Sequence, residues 1–296
     1  MSTKACLLCG NSGPFEQVFA SGPYRLVRCP ECRLVFQPDP PGPDGLAAAY
    51  YHDPAFTEML FGPLREVTLA RAREKLPLVE GVAGMGAGRR ALDVGCSSGA
   101  WLEVAAGAGW LATGVELGAA TAETAREHGL DVRTGTLSES FNDLSAESFD
   151  LITFWDVLEH LPDPVAELEL AARLLTPGGV IAVTFPNVEG LYPRATHALI
   201  GGPLGIWEYP ELPVHLYDFA PETATALMKK AGLEVVAQST SNTPFEHYRT
   251  TTLAGRGTRA RIARAIARLL RVVLYPLAAL TDRGNTQFIA ARSRMS

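Results

Sequence analysis

From residue 89 onward, short apolar runs alternate with amphipathic segments. The runs have the length of buried strands and are bounded by Gly, Pro or Asp, and the segments between them have helical periodicity. The predicted strands are 90–94, 111–116, 132–134, 149–154, 179–185, 233–239 and 287–292. The predicted helices are a segment through Trp101 and Ala106, then 119–128, 165–175 and 221–231. This alternation predicts an α/β fold with a doubly wound, mostly parallel, seven-stranded sheet covered by helices on both faces.

The first 88 residues follow other patterns. Residues 1–40 contain short apolar runs between Gly and Pro turns, which are typical of small hairpins, and residues 38–45 read PDPPGPDG, a linker composition. Residues 46–82 have a helical pattern. We therefore predict a small module at 1–40, a linker and helical cap at 41–88, and the main domain at 89–296.

Composition limits the class of protein. Of the 296 residues, 47% are hydrophobic and 20% charged, which is typical of a globular chain. No apolar run has the length of a membrane span, and no apolar signal-peptide core is present, so a cytoplasmic location is expected. From Arg249 to the end there are ten arginines and one acid, Asp282, a net +9 against −15 for the preceding residues. The acidic body disfavours binding to nucleic acid.

Four of the five cysteines form two C-x2-C pairs. Two such turns supply the four thiolates of a tetrahedral site, so we predict a structural Zn²⁺ in a zinc-ribbon-like N-terminal module. The spacing alone leaves iron open as the metal. The predicted ligands are Cys6, Cys9, Cys29 and Cys32.

The next motif is a glycine-rich turn after a strand. Residues 91–99 read ALDVGCSSG, in which Gly95 and Gly99 allow close approach of a ligand to the backbone at a helix N-terminus. Glu116 ends the following strand, where an acidic side chain can accept both hydroxyls of a ribose. These residues, with FDLI at 149–152, LEHL at 158–161 and LLTPGG at 174–179, resemble the class I S-adenosylmethionine-dependent methyltransferases. A cysteine module followed by Ala-Tyr-Tyr at 49–51 resembles a subset of that family.

The resemblance implies a Rossmann-like fold, S-adenosylmethionine as cofactor and a set of cofactor contacts. Asp93, Gly95 and Gly99 would line its methionine and ribose side, and Glu116 would hold the ribose hydroxyls. Family members often carry an acid near the adenine amine, but this chain has Gly-Thr-Leu at 135–137, which assigns that contact to Thr136 or the backbone. The full predicted set is Asp93, Gly95, Cys96, Gly99, Glu116, Leu117, Thr136, Leu137, Trp155 and Asp156.

Two histidines are candidates for the base that would deprotonate an acceptor. His160 follows the fourth strand at the ligand-binding edge of the sheet, and anchoring of its loop is the alternative role. His215 lies in a long insertion, predicted as the substrate loop at about 187–220, and is slightly preferred. The segment around it resembles methyltransferases of ubiquinone biosynthesis. By the same resemblance, Asp156, Glu159 and His160 are a possible divalent-cation site, with capping or loop roles as the alternative.

Residues 258–280 predict a basic amphipathic helix interrupted at Pro276. Its apolar positions lie opposite Arg261, Arg264, Arg268 and Arg271. Two roles remain open: packing of the apolar face on the domain with the arginines in solvent, or peripheral contact with an anionic membrane at its inner, cytoplasmic face.

The sequence therefore predicts a methyltransferase that acts on a small-molecule, sugar or quinone-like acceptor, most readily at oxygen. Acceptors linked to a lipid or a carrier are included in this prediction. A nucleic-acid- or ribosome-directed methyltransferase is one alternative, disfavoured by the acidic body and by Trp-Asp-Val-Leu at 155–158 in place of an N-P-P-[YF] motif. A catalytically silent S-adenosylmethionine-binding protein is another, which the intact Gly95, Gly99 and Glu116 disfavour.

Overall fold

The computed structural model describes residues 5–42, 54–144, 148–207, 209–242 and 257–294. The strands are β1 (Glu16–Ser21), β2 (Tyr24–Arg28), β3 (Val35–Phe36), β4 (Arg90–Val94), β5 (Leu111–Glu116), β6 (Val132–Thr134), β7 (Phe149–Trp155), β8 (Leu175–Pro186), β9 (Tyr217–Asp218), β10 (Leu233–Ser241) and β11 (Thr286–Ser293). The helices are α1 (Pro54–Phe61), α2 (Arg65–Ala83), α3 (Ala100–Gly107), α4 (Ala119–Glu127), α5 (Leu137–Ser140), α6 (Pro164–Ala172), α7 (Leu191–Thr196), α8 (Pro221–Lys230) and α9 (Thr258–Thr281). A π-helical segment, His197–Gly201, and Gly202–Leu204 extend α7.

The main sheet has seven strands in the order β10-β11-β8-β7-β4-β5-β6. Only β11 runs antiparallel to its neighbours, which confirms the predicted fold class. The central runs are apolar on both faces because helices cover both sides of the sheet, as in other parallel sheets. In β7 and β8, Ile152, Phe154, Val183 and Phe185 are fully buried.

The strand order reverses between β4 and β7. From β4 the chain continues to β5 and β6 on one side of the sheet, and it then crosses to β7 on the other side of β4. In doubly wound sheets the crevice outside the carboxyl ends of the strands at this point is where ligands bind. This edge of the sheet, called the carboxyl edge below, is where the predicted cofactor residues converge.

A second sheet of four antiparallel strands, β1-β2-β3-β9, contains the N-terminal segment. Its fourth strand comes from the insertion after β8: Val35 pairs with Asp218 and Phe36 with Tyr217. The N-terminal segment therefore shares its sheet with the predicted substrate loop. The division at residues 40 and 88 remains a prediction, and the Ala-Tyr-Tyr segment at 49–51 lies outside the described residues.

Helix α9 departs from the prediction in two ways. It continues through Pro276, because the carbonyl that loses its partner belongs to Val272, which is 74% exposed and open to water. Its buried face consists of alanines rather than the large aliphatic residues; they are Ala260, Ala263, Ala267 and Ala278. Small side chains let the helix approach α7 and Ile200 closely, and this leaves the aliphatic face outward.

Within these described ranges, no helix combines the length and apolar character needed to cross a bilayer.

Candidate active site

The glycine-rich turn connects β4 to α3 at the carboxyl edge. Gly95 and Gly99 both have φ of +73°, a conformation that side chains disfavour, and Gly99 is the N-cap of α3. A Cβ at Gly95 would lie 2.7 Å from Cγ2 of Val157. The turn is held because the backbone N–H groups of Gly95 and Cys96 donate to Val115 O at 2.8 and 3.0 Å. The fold therefore requires glycine here and keeps the backbone accessible to a ligand.

Glu116 lies beside this turn at the end of β5, where it is 7% exposed. Its Oε2 accepts the Ser97 N–H at 2.8 Å and its Oε1 accepts the Gly118 N–H at 2.7 Å. Burial raises the pKa of this carboxyl group, and the two amide hydrogen bonds oppose that shift. Because each carboxylate oxygen has a second lone pair, both can still accept a hydroxyl of a ribose.

The other residues predicted on the adenine side differ in accessibility. Leu117 is 37% exposed and offers an apolar surface next to Glu116. The Thr136 hydroxyl accepts the Glu139 N–H at 3.2 Å and so caps α5, while Leu137 and Cys96 are buried in the core. Burial also raises the pKa of the Cys96 thiol, which fits a packing role. The side chains of these last three residues are thus already used by the fold.

A polar group lies where β4, β7 and α2 meet. Asp93 is 2% exposed and accepts the Thr153 hydroxyl at 2.7 Å; burial raises its pKa to about 7. Lys75 Nζ lies 4.6 Å from the centre of the Trp155 ring and 3.9 Å from Asp156 Oδ2. The amino group of Lys75 therefore lies over the ring face of Trp155.

Lys75 is a site residue that sequence reasoning missed. It projects from α2 and lies outside the motifs that carry the family resemblance, so no local signal distinguishes it from the other charged residues of that helix. Asp156 does have a structural signal, since its φ of +57° is uncommon for a residue other than glycine and such residues concentrate at functional sites.

The two predicted histidines come together next to this group. Their ring centroids are 4.7 Å apart, although 54 residues separate them in the chain. His160 follows β7 in a short turn, and its Nδ1 lies 3.2 Å from Val214 O, so this nitrogen carries the proton in the neutral ring. With two buried acids and the partly buried Glu211, the histidines form what we call the acid–imidazole cluster: Glu159, His160, Glu211, His215 and Asp218.

The acids surround His215. Its Nε2 is 3.7 Å from Glu211 Oε2 and its Nδ1 is 3.8 Å from Asp218 Oδ1, which are ion-pair distances rather than hydrogen bonds. Burial alone would lower the pKa of His215, but Asp218, Glu211 and Glu159 raise it to about 9. Burial and the His215 charge lower the pKa of His160 to about 3. His215 is therefore the protonated member of the pair at neutral pH.

Glu159 contributes a carboxyl group that is only 1% exposed. Burial, with repulsion from Asp156, raises its pKa to about 8. Among the described residues, no hydrogen-bond partner reaches either oxygen of Glu159 or of Asp218. Two buried carboxyl groups without hydrogen-bond partners are costly to a fold, which makes this cluster a candidate site for a ligand or ion.

A divalent ion fits part of this cluster. Glu159, His160 and His215 each offer one ligand atom, and these atoms lie within 4.8 Å of one another. Asp156, which the sequence grouped with Glu159 and His160, instead accepts the Thr184 hydroxyl at 3.0 Å. Two imidazoles and a carboxylate suit a transition-metal ion.

The N-terminal sheet positions the segment that carries His215. Gln37 is 2% exposed, and its Nε2 donates to the carbonyls of Pro213 and His215 at 2.8 and 2.5 Å. The Gln37 N–H donates to Leu216 O at 2.9 Å. Nothing in the local sequence around Gln37 marks this role, since its partners lie more than 170 residues away.

The four predicted zinc ligands converge at the far end of the same sheet. Cys6 and Cys32 have their sulfur atoms 3.3 Å apart, Cys9 and Cys29 3.5 Å, and all four lie within 4.8 Å of one another. Zn–S bonds of about 2.3 Å in a tetrahedron give edges of about 3.8 Å, so the arrangement fits the ion.

Each cysteine pair closes a similar turn. The Gly10 N–H donates to Cys6 O at 2.9 Å and the Arg33 N–H to Cys29 O at 3.0 Å, and both Gly10 and Arg33 have positive φ. Four protein ligands fill a tetrahedral shell, which suits a structural ion rather than a catalytic one.

Comparison with known proteins identifies a methyltransferase domain. A family model described as "Methyltransferase domain" matches residues 65–238, more than half of the chain. The chain is 32% identical over 195 residues to the ubiquinone biosynthesis O-methyltransferase of Bordetella avium, covering 63% of this chain and 76% of that one. It is also 32% identical over 161 residues to the protein of that name from Paracidovorax citrulli, covering 47% of this chain and 66% of the relative, just under two thirds of its length.

The fold has a match among solved structures. An S-adenosylmethionine-dependent methyltransferase from Archaeoglobus fulgidus superposes with a TM-score of 0.51 at 21% identity, over 77% of this chain and 94% of that one. The chain belongs to the class I S-adenosylmethionine-dependent methyltransferase family.

Proposed function

We propose that this protein transfers a methyl group from S-adenosylmethionine to a hydroxyl oxygen of a small, quinone-like or phenolic acceptor. The observation that carries the proposal is the buried acid–imidazole cluster, which adjoins the glycine-rich turn and Glu116 at one edge of the sheet. Methyl transfer to nitrogen needs no such base when the amine is neutral, whereas a hydroxyl must lose its proton. The names of the Bordetella and Paracidovorax relatives support the same acceptor class.

Methyl transfer requires the acceptor oxygen to approach the methyl carbon in line with the breaking C–S bond, and the protein contributes chiefly by positioning. We assign Gly95, Gly99 and Glu116 to cofactor binding, and Trp155 and Asp156 to the surroundings of the sulfonium. Lys75 lies over Trp155, so we infer that its side chain moves aside when the sulfonium binds at this ring.

For the proton, we assign the His160–His215 pair to act as a unit. His215 is the cation at neutral pH, so the neutral ring of His160 is the member of the pair that can take the proton of an acceptor hydroxyl. The sequence analysis slightly preferred His215 as the base. In this proposal His160 takes the proton, and His215 sets the charge of the pair. If a divalent ion binds, Glu159, His160 and His215 would hold it, and it would polarise the acceptor hydroxyl.

The zinc ion and the linkage of the acceptor are also proposals. We infer that Zn²⁺ is held by Cys6, Cys9, Cys29 and Cys32 and has a structural role. The proposal covers a free acceptor as well as one linked to a lipid or carrier.

The test is an acceptor screen with the zinc-replete full chain. Catechols, hydroxylated quinols with and without a prenyl tail, simple amines and a short RNA are each incubated with S-adenosylmethionine, and S-adenosylhomocysteine and the methylated product are measured by mass spectrometry. We expect O-methylation of the catechols or quinols. Turnover of the amines or of RNA alone would contradict the proposal, and so would cofactor binding without turnover on any acceptor.

A further inference from the structure

Helix α9 presents large aliphatic side chains to solvent on the side opposite its buried alanines. Successive helical residues are about 100° apart, so positions separated by seven, eleven and eighteen residues share a face. Ile262, Leu269, Val273 and Leu280 have this spacing and are 47%, 66%, 58% and 85% exposed. Val272 and Leu277 border them and are 74% and 46% exposed. We call these six residues the aliphatic face of α9.

This face is unusual because burial of the same residues would be favourable at about 25 cal/mol per Å². A helix that served only to cover the domain would turn its aliphatic residues inward. Here the buried contacts with Ile200 are made by Ala263 and Ala267, with Ile266 packed beside them, and Tyr275 contacts Tyr192 of α7. These aliphatic residues are thus left on the surface, where a binding partner would cover them.

Charge indicates the chemistry of that partner. Helix α9 contains five arginines and neither Lys, Asp nor Glu. Three of the arginines are exposed: Arg261 and Arg268 on one flank of the aliphatic face, and Arg259 on the other. An aliphatic face between exposed arginines is the pattern of a helix that lies in the interface of an anionic bilayer.

A second copy of this chain fits less well. Two α9 helices packed face to face would bring arginines together, and neither helix has an acid to pair with them. The chain before residue 249 carries a net charge of −15, so an anionic surface repels it. The protein would therefore bind such a surface only in an orientation in which α9 faces it.

The position of α9 relates this surface to the active site. Helix α9 leads into β11, whose pairing with β8 is antiparallel, so the end of α9 lies at the carboxyl edge of the sheet. There Asn187 Nδ2 donates to Gly284 O at 2.8 Å and the Leu191 N–H donates to Arg283 O at 3.0 Å. A surface under α9 would thus lie next to the insertion that carries His215.

We propose that the aliphatic face of α9 and its flanking arginines dock this protein on an anionic phospholipid surface, with the carboxyl edge toward the bilayer. The proposal goes beyond methyl transfer and concerns binding alone. Its failure would leave the acceptor screen unaffected, and failure of the screen would not touch it.

The experiment is co-sedimentation of the full chain with two kinds of vesicle, phosphatidylcholine alone and phosphatidylcholine mixed with phosphatidylglycerol. We expect binding to the anionic vesicles, at least about tenfold weaker binding to the neutral ones, and loss of binding at high salt. The variant Leu269→Ser/Val273→Ser/Leu280→Ser keeps every charge and should bind at least about tenfold more weakly. A second variant, Arg261→Gln/Arg268→Gln, should lose most of the preference for anionic lipid.

The matched control is Met85→Ser/Leu111→Ser. Met85 and Leu111 are 66% and 60% exposed but lie before β4 and at the start of β5, away from the carboxyl edge. This variant should bind like the unaltered chain. All substitutions are at exposed positions, and thermal unfolding checks that each variant remains folded.

Three results would overturn the proposal. They are no binding to anionic vesicles at low salt, equal binding by the triple serine variant, and equal binding to both kinds of vesicle. A concentration-dependent dimer in sedimentation velocity that the triple serine variant abolishes would assign the face to a second copy.

Discussion

The glycine-rich turn with Glu116 and the acid–imidazole cluster lie at the same edge of one sheet, but they are built differently. The first uses residues 95–118, and backbone amides from the same segment satisfy the Glu116 carboxylate. The second joins a turn after β7 to an insertion more than 50 residues later, and its Glu159 and Asp218 oxygens have no hydrogen-bond partner in the described parts of the chain. The Glu116 carboxylate of the cofactor half is thus satisfied locally, whereas the acceptor half depends on distant segments and contains carboxyl groups without hydrogen-bond partners. The four predictions that follow test this difference.

The largest effect is expected from the cysteine site. In Cys29→Ser/Cys32→Ser two of the four ligands are lost, so the N-terminal sheet should loosen and release the strand next to His215. We expect acceptor turnover to fall by about 100-fold or more, a barrier increase of at least roughly 2.7 kcal/mol, while the Kd for S-adenosylmethionine changes less than about threefold. Turnover and calorimetric titration measure the two halves separately.

Cys96→Ala is the control for this variant, because Cys96 is the one cysteine outside the module. It should leave the zinc content, measured by metal analysis, unchanged. Equal loss of cofactor binding and turnover in the double serine variant would show that the two halves are not independent.

Glu116→Ala tests the cofactor half alone. Removal of the ribose acceptor, which also frees the Ser97 and Gly118 amides, should weaken S-adenosylmethionine binding by roughly 1–3 kcal/mol in calorimetric titration. Glu123→Ala, at an exposed position on α4, should bind like the unaltered chain. Unchanged affinity in Glu116→Ala would remove Glu116 from the cofactor site.

The pH dependence of stability tests the acceptor half. The pKa of Glu159 is raised from 4.5 to about 8 and that of His215 from 6.5 to about 9, so between pH 7 and 9 the native state binds more protons than the unfolded state. Stability should therefore fall across this range, by roughly 1–3 kcal/mol in chemical unfolding. The low pKa of His160, about 3, contributes only below pH 6.5.

Glu159→Gln cannot release a proton, so its stability should fall by roughly 1 kcal/mol less over the same range. The exposed substitution Leu111→Gln reports the pH response of the rest of the chain. A Glu159→Gln slope equal to that of the unaltered chain would mean that Glu159 does not titrate there.

The smallest effect is expected at Gln37. Gln37→Met keeps the approximate size but removes the hydrogen bonds to the carbonyls of Pro213 and His215, which should cost about 0.5–1.5 kcal/mol of stability. As a positioning residue it should lower kcat more than it changes the Kd of the cofactor. An altered Kd with an unchanged kcat would contradict this role, and Gln238→Met, at an exposed site on β10, is the control.

The sequence by itself determined the fold class, the order of most strands and helices, and the local motifs. The strands β4, β5 and β6 have the predicted bounds because buried apolar runs and their turns are short-range signals. The Gly95–Gly99 turn and Glu116 are short-range signals too, since both hydrogen-bond donors to the Glu116 carboxylate lie within 19 residues of it in the chain. The two cysteine pairs were predicted as one site from their spacing, which the structure brings together.

Only the tertiary structure decided the contacts between distant segments and the direction in which surfaces face. The pairing of β3 with β9, the approach of Lys75 to Asp156 and the support of His215 by Gln37 join residues between 81 and 183 positions apart, and no periodicity encodes such contacts. The same is true of helix α9. Its helical periodicity predicts an aliphatic face, but it does not predict which face of the helix packs on the rest of the protein. Close packing on α7 and Ile200 favoured the alanines there, and the aliphatic face was left outward.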